Sequence, residues 1–571
     1  MIKNLFNDLG YLESSFKSKK FTIGLDEISD GLNFYSEFFI YKKNSKIKVF
    51  DRNCDHAGGK LLQKIGENKA TCPVHGWAFD PSTGHYDNKV KKKELSFQIK
   101  ENKIYFDIDF SFPIISKINS NFDNKTIIKF FNHAFLIVEG KNFKFATDPW
   151  AIGPAFNNGW WLKNKTESDW LKEVNSCDFI YLSHNHPDHL NSYTLSKISK
   201  KINIVVPKFQ VDSMGGLLDD LGFKNILFFD FNRQYNFKES NLIITMLKSG
   251  DFRLDSGIYF SNGSFSSLLD VDSNSINFQK LPKVTLYGSS FAGGASGYPL
   301  MFENYTLNEK IKISKKKNSF LKTFKIKNLL QTNAKYFLPY AGSFEEKLQR
   351  DAFVKKYNKK IEYNDYKKIL SKKKISLLDN NKFKVFEFTN EDLTKEIIKT
   401  KKYYKDKTNL EYLKEFKKMN NKIDKNFIEN YFINSNFKDN LILIVTLTGD
   451  NFKKNYLNFK VDFSNKKIKF TKHSKIDSNV ENNLKNNNRI LYIKIRKESF
   501  INTIKHKQPW EDILIGFQCK IQRNPNIFNS KFWYHFSNIY IKNKSMKFYK
   551  ECNTCDIFNQ KIDSLLYHSN Q

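Results

Sequence analysis

Short apolar, strand-like runs broken by Gly, Asn and Asp turns fill the chain from about Phe21 to Phe110, as at Lys46–Phe50 and Lys103–Asp107. They predict an all-β unit. A Ser/Asn-rich stretch, Lys117–Lys125, reads as a linker. Beyond it, strand-like runs at Phe135–Val138, Phe179–Leu182, Ile202–Val206 and Leu242–Thr245 alternate with amphipathic stretches, including a predicted helix over Ser192–Lys201. That alternation predicts a layered α/β domain running to about Phe344. From about Glu345 come Lys-rich amphipathic helices, and strand-like text returns at Leu441–Thr446 and Ile490–Ile495, predicting an α+β domain. The expected organisation is an all-β domain over 1–116, an α/β domain over 117–345 and a C-terminal α+β domain over 346–571, with no internal repeat.

A hydrophobic content of 40%, with 55 Phe and 27 Tyr, marks a globular chain. The formal charge of +34 raises the question of nucleic acid. Lys is spread through almost every segment, and neither a zinc-finger spacing nor a compact Arg-rich reader appears, so nucleic acid is not the expected partner. A solvated Lys surface still favours anionic substrates and acidic redox partners. No run of about eighteen apolar residues occurs, which predicts no membrane insertion, and a cytoplasmic location follows as the default.

Cys54 and His56, then Cys72 and His75, are two metal-ligand pairs in the order C-x-H and C-x-x-H, separated by residues 57–71. A Rieske [2Fe-2S] centre requires this set, two thiolates on one iron and two imidazoles on the other. Zinc is the competing ion for Cys2His2. Gly58 and Gly59 after the first pair, and Gly76 and Trp77 after the second, favour loops wrapped around a cluster. Cys177 and Cys519 lie in apolar segments and read as small buried hydrophobes. Cys552 and Cys555 form a lone C-x-x-C, either an inert pair of thiols, a redox pair or half a zinc site.

A second constellation follows the strand Phe179–Leu182, where Ser183 precedes His184, His186, Asp188 and His189. Only Asn185 and Pro187 separate these four ligand-capable side chains. An H-x-H-x-D-H loop at a strand end resembles the signature of the metallo-β-lactamase fold, an αββα sandwich. Hydrolases of that fold normally add a downstream His, a bridging Asp and a late His, yet no His lies between His189 and His473. Asp251 stands where the third-motif His is expected, and Asp272 suits the bridging Asp. A set of His and carboxylate suits a single non-haem iron with open coordination positions. His133 either projects into the same cavity or is a structural His. Asp148, at a strand end before Pro149, either orients a ligand His or forms an Asx turn.

These residues together resemble the cytidine monophosphate-N-acetylneuraminic acid hydroxylases, which join a Rieske domain to a metallo-β-lactamase-like domain. Thr147–Trp150, Gly153–Phe156, Gly159–Leu162 and Ser168–Leu171 precede the His loop in that family's order. Phe291–Pro299, Pro339–Gly342, Trp510–Gln518, Gln522–Pro525 and Phe532–Phe536 continue it. Asp251, and the absence of a His near Gly342–Glu346, depart from the family pattern.

The resemblance implies a monooxygenase that hydroxylates the N-acetyl group of a CMP-sialic acid or a related acylated nucleotide sugar. It implies O2 as oxidant, with electrons from cytochrome b5 or a ferredoxin and its reductase. Cys54, His56, Cys72 and His75 would carry the cluster, and His184, His186, Asp188 and His189, with Asp251 or Asp272, a mononuclear non-haem iron. Asp188 has proton delivery as its alternative role. The competing reading is a metal-dependent hydrolase whose Rieske domain senses redox state, and a third is an electron carrier without its own catalysis. The Gly293–Gly297 loop permits close backbone approach to a phosphate or simply turns. Trp160 and Trp161 either line a sugar pocket or belong to the core.

Overall fold

Strands Ser256–Asn262 and Phe265–Val271 bury all seven of their residues. Strands hidden on both faces belong inside a layered structure. A computed structural model describes residues 6, 9–12, 17–55, 60–63, 67–72, 77–87, 89–110, 125–209, 212–249, 254–273, 276, 281–379, 384–398, 402–465, 467–471 and 489–541. The two strands lie in an eight-stranded sheet with the order Leu9–Leu12, Gln234–Phe237, Leu242–Lys248, Ser256–Asn262, Phe265–Val271, Leu286–Ser289, Tyr336–Pro339 and Ser376–Leu377. A second eight-stranded sheet runs Ile226–Phe229, Asn203–Pro207, Phe179–Tyr181, Phe143–Thr147, Phe135–Gly140, Lys125–Asn132, Lys384–Thr389 and Asp392–Ile398.

Phe145, Phe179, Phe260, Leu269 and Leu338 share the apolar core that contains residues of both sheets. Other clusters cover the outer faces. Ile180, Ile204 and Val206 of the second sheet pack with Trp170, Val174, Leu195 and Leu218 of the helices Trp170–Asn175, Ser192–Lys197 and Gly215–Asp220. Tyr259, Tyr287 and Phe337 of the first sheet pack with Leu329, Tyr366 and Leu370 of the helices Leu307–Thr332 and Tyr363–Leu370. The result is the expected αββα sandwich of metallo-β-lactamase type. The sandwich takes in chain beyond the expected boundary at 345, because Lys384–Thr389 pairs antiparallel with Lys125–Asn132. Leu9–Leu12 likewise pairs with Gln234–Phe237 rather than with the all-β unit. The helix predicted over Ser192–Lys201 ends at Lys197, where Ile198 takes an extended conformation.

The all-β unit consists of a three-stranded sheet of Lys17–Gly24, Phe97–Lys100 and Lys103–Phe110, a second of Gly31–Phe34, Phe38–Lys43 and Lys46–Asp51, and a four-stranded sheet of short strands between Leu62 and Tyr86. The C-terminal unit is α+β as expected. Its five-stranded sheet, in the order Lys467–Thr471, Asn455–Asp462, Leu441–Thr448, Arg489–Arg496 and Cys519–Asn524, packs with helices including Lys425–Asn434, Lys497–Lys505 and Ser530–Ser537.

This unit meets the sandwich closely. A Cβ on Gly159 would come within 2.1 Å of the Gly516 carbonyl oxygen, and one on Gly516 within 2.2 Å of the Phe156 carbonyl oxygen. Only glycine allows backbones this near. Arg496 is buried beside them and donates to Asp351 Oδ1 at 2.6 Å, to Gln518 Oε1 at 3.1 Å and to the Arg350 carbonyl at 2.9 Å. Trp160 and Trp161 are buried, Trp160 stacking on Phe344, which identifies both as core. No helix among the described residues is long and apolar enough to cross a membrane.

Candidate metal centres

Two strand ends deliver the cysteines of the first centre. Cys54 follows the strand Lys46–Asp51 and Cys72 follows Ala70–Thr71, and both thiols are buried in one apolar cluster with Phe39, Phe50, Phe79 and Tyr86. His56 and His75 lie outside the described residues. The Cys72 amide donates to the Trp77 carbonyl at 2.8 Å, closing the loop between them. Two side chains that the ligand spacing did not reveal secure the Cys54 loop. Tyr86 donates to Asp55 Oδ2 at 2.7 Å, and buried Lys92 donates to the Asn53 carbonyl at 2.6 Å while pairing with Asp51 and Asp55 at 3.2 Å. Burial, then the charges of Cys54 and Asp55, push the Tyr86 hydroxyl above its ordinary range.

The second centre forms at one end of the sandwich. Phe143–Thr147 and Phe179–Tyr181 run parallel, so the residues after each strand emerge side by side, as at the ligand-binding ends of other parallel sheets. Asp148 there accepts from the Ser183 amide and hydroxyl, each at 2.7 Å, and from His189 Nδ1 at 2.9 Å. Asp148 thus orients a loop imidazole. His133 lies within 3.0 Å of Asp188 Oδ2 through Nε2, which brings it into the same cluster. His184 Nδ1 meets Ser183 Oγ at 2.9 Å, and its Nε2 meets His186 Nδ1 at 2.9 Å.

From the other sheet, Asp272 follows the strand Phe265–Val271 and sits 3.7 Å from His189 Nε2. Asp251 lies outside the described residues. The carboxylate brought to His184 and His186 is that of Asp255, which precedes the strand Ser256–Asn262. Three overlapping donor sets result, His133/Asp188/His189, His184/His189/Asp272 and His184/His186/Asp255, each with ligand atoms within 4.8 Å of one another.

The donors fit a cation. Buried His189 Nε2 and Asp188 Oδ1 have no hydrogen-bond partner. Leaving such a group unpaired costs about 1–3 kcal/mol, more when it is charged. Mixed imidazole and carboxylate suit iron or zinc rather than a thiol-seeking ion. Charge pairing within the cluster is strong. Against the effect of burial, His189 and His133 hold the Asp188 carboxyl well below its usual range, and Asp188 and Asp148 raise His189 well above its own. Burial lowers His186, but Glu511 overrides it and pushes the imidazole up to about 9.

The C-terminal unit supplies the remaining neighbours. Glu511 Oε1 lies 3.8 Å from His186 Nε2, and Tyr540 Oη accepts from Asn185 Nδ2 at 2.7 Å. Asp512 is buried, and burial raises its carboxyl well above the usual range. None of these three stood out in the sequence, where nothing links them to a loop more than 300 residues earlier. The Gly293–Gly297 loop is packed rather than open. A Cβ on Gly294 would come within 2.8 Å of Asn358 Oδ1, and one on Gly297 within 2.5 Å of the Leu514 carbonyl oxygen. Cys177 and Cys519 are buried, and burial pushes the Cys177 thiol up to about 12, so both behave as core. Cys552 and Cys555 lie outside the described residues.

The fold joins a small all-β unit with the two buried cysteines to an αββα sandwich of metallo-β-lactamase type, the architecture of a Rieske protein with a second domain. The model of the Rieske [2Fe-2S] domain matches residues 26–98. The chain is similar to the cytidine monophosphate-N-acetylneuraminic acid hydroxylases. It is 28% identical to that of Macaca mulatta, covering 89% of this chain and 91% of the relative, and 27% identical to that of Xenopus laevis, covering 90% and 91%. Among solved structures it is similar to CmlA, a diiron beta-hydroxylase from Streptomyces venezuelae, with a TM-score of 0.32 and 17% identity over 46% of this chain and 54% of that one. The family resemblance read from the sequence stands, and with it the expectation of a hydroxylase-like oxidoreductase with a Rieske cluster.

Proposed function

We propose that this protein is a monooxygenase that hydroxylates the N-acetyl group of a CMP-sialic acid or a related acylated nucleotide sugar. Cys54, His56, Cys72 and His75 would hold the cluster, which would relay single electrons from an external donor such as cytochrome b5 or a ferredoxin. The observation that carries this reading is the presence, in one chain, of a Rieske domain and a separate buried cluster of His and Asp with unpaired donor atoms. Its relatives bear the name of such a hydroxylase over nearly their whole length.

His184, His186, Asp188 and His189, with Asp255 and Asp272, would hold a non-haem iron, which when bound would supply O2 activation against an unactivated C–H bond, chemistry beyond amino-acid side chains. Asp148 keeps the His189 proton on Nδ1 and leaves Nε2 as a donor atom. Asp188 is held ionised by two imidazoles and serves as a ligand rather than a proton source. The burial of His184, His189 and Asp188 excludes bulk water around them.

The overlap of three donor sets favours, as a second reading, two ions, one toward His186 and Asp255 and one toward Asp188 and His133. Iron analysis separates the two, about three irons per chain for a single ion beside the cluster and about four for a pair. The test of function is mass spectrometry of CMP-N-acetylneuraminic acid incubated with the protein, O2 and a reducing system. Gain of one oxygen atom on the acyl group is expected. Unchanged substrate with zinc in place of the second iron would turn the reading to a hydrolase.

A further inference from the structure

The His loop is held from outside the sandwich by a single bracket of the C-terminal unit. In this bracket the Glu511 amide donates to Ser537 Oγ at 3.2 Å and the Trp510 amide to the Phe536 carbonyl at 3.3 Å, tying the start of the helix Glu511–Ile515 to the segment that follows Phe532. It touches two consecutive loop residues. Tyr540 accepts from Asn185 Nδ2 at 2.7 Å and itself donates to the Ser213 carbonyl at 3.0 Å, while Glu511 Oε1 stands 3.8 Å from His186 Nε2. The opposite ring nitrogen of His186, Nδ1, faces His184 Nε2 at 2.9 Å, so the ring presents one edge to the donor cluster and the other to Glu511.

We propose that Glu511 is a positioning residue for the second metal centre, its carboxylate orienting His186 through Nε2 while Tyr540 fixes the loop backbone through Asn185. The inference rests on the reading of the His loop as a metal site. A ligating His generally gives its outer N–H to a carboxylate, and loss of such a partner weakens metal binding by about 10–100-fold. Here that partner comes from another structural unit, so the site is complete only when the C-terminal unit is seated on the sandwich.

The test uses cobalt(II) alone as the probe, added to the full-length protein with its cluster intact and its second metal removed by chelation. Cobalt affinity and the visible ligand-field spectrum are measured for the wild type, Glu511→Gln, Glu511→Ala and Tyr540→Phe, together with the electron paramagnetic resonance signal of the reduced cluster. Expected are a shifted cobalt spectrum and affinity lower by about tenfold in both Glu511 variants, a smaller loss in Tyr540→Phe, and an unchanged cluster signal. Wild-type affinity and spectrum in both Glu511 variants would overturn the proposal, and so would a loss that appears only where the cobalt-free protein also unfolds earlier. Failure of the wild type itself to bind cobalt would overturn the metal-site reading, a result distinct from wild-type binding that is indifferent to Glu511.

Discussion

Asp148 Oδ2 and His189 Nδ1 lie 2.9 Å apart with both side chains fully buried. An ionised carboxylate only accepts, so the imidazole carries its proton on Nδ1 and offers Nε2 to the cluster. In Asp148→Asn the amide can donate, which permits the other tautomer. Metal affinity at the His loop should fall about 10–100-fold while the cluster remains intact. Cobalt or iron titration of the variant checks this, and an unaltered affinity would mean that His189 is oriented by packing alone.

Asp255 should contribute to metal binding. Among the described residues the carboxylate in a donor set with His184 and His186 is that of Asp255, while Asp251 lies outside the described residues. Asp255→Ala should lower metal occupancy by at least about tenfold, as expected for a lost carboxylate ligand or its close support, and Asp251→Ala measured beside it tests the carboxylate that the sequence singles out. Metal analysis after dialysis against a weak chelator discriminates the two. Wild-type occupancy in Asp255→Ala would remove Asp255 from the ligand set.

Metal binding should be pH-dependent through His186. In the metal-free protein its imidazole is raised from the ordinary 6.5 to about 9, so a cation must displace a proton at neutral pH. Affinity should therefore rise with pH at least through about 9, because His189, also raised above its ordinary range, must give up a proton as well. The same shift means that proton binding at His186 stabilises the metal-free fold fully below about 6.5, and that this contribution is lost as pH rises through about 9. Calorimetry in buffers of different ionisation enthalpy counts the proton released, and an affinity flat across this window would contradict the assignment.

The junction of the sandwich with the C-terminal unit should depend on Arg496. Its guanidinium and the Asp351 carboxylate are both buried, and removing Arg496 leaves Asp351 with only the longer pairing to Arg350 at 3.7 Å. Arg496→Ala should destabilise by about 3–5 kcal/mol. Arg496→Met paired with Asp351→Leu should recover much of that loss, because apolar replacement of both charges is often tolerated. Chemical unfolding followed by tryptophan fluorescence, with Trp160 at this junction, provides the measurement.

The parts of both centres that are contiguous in the chain were legible in the sequence. Cys54, Cys72 and the His184–His189 loop declare themselves through local spacing, since a strand end must place its ligands within a few residues of each other. Asp255 was not legible, because its approach to His184 depends on how two sheets stack, which no periodicity encodes. The strands Lys384–Thr389 and Asp392–Ile398 escaped the predicted boundary for a similar reason. Their apolar pattern marks them as strands but does not say which sheet they join, and pairing with Lys125–Asn132 is a contact between distant parts of the chain. Glu511 was the least legible, since its partner lies in another unit and its own exposure resembles that of any surface acid.

The donors of the second centre are divided between the two halves of the sandwich. His133, Asp148 and the His loop extend from the sheet that contains Phe143–Thr147, whereas Asp255 and Asp272 extend from the sheet that contains Ser256–Asn262. An ion held by both groups acts as a rivet through the open end of the sandwich. Its removal should loosen that end selectively, so that amide exchange quickens around Leu182–Leu190 and Asp270–Ser273 while the far ends of the same strands keep their protection. Iron supply would then set this protein's resistance to proteolysis as well as its chemistry, and the starved form would be cut first at the mouth of its own active site.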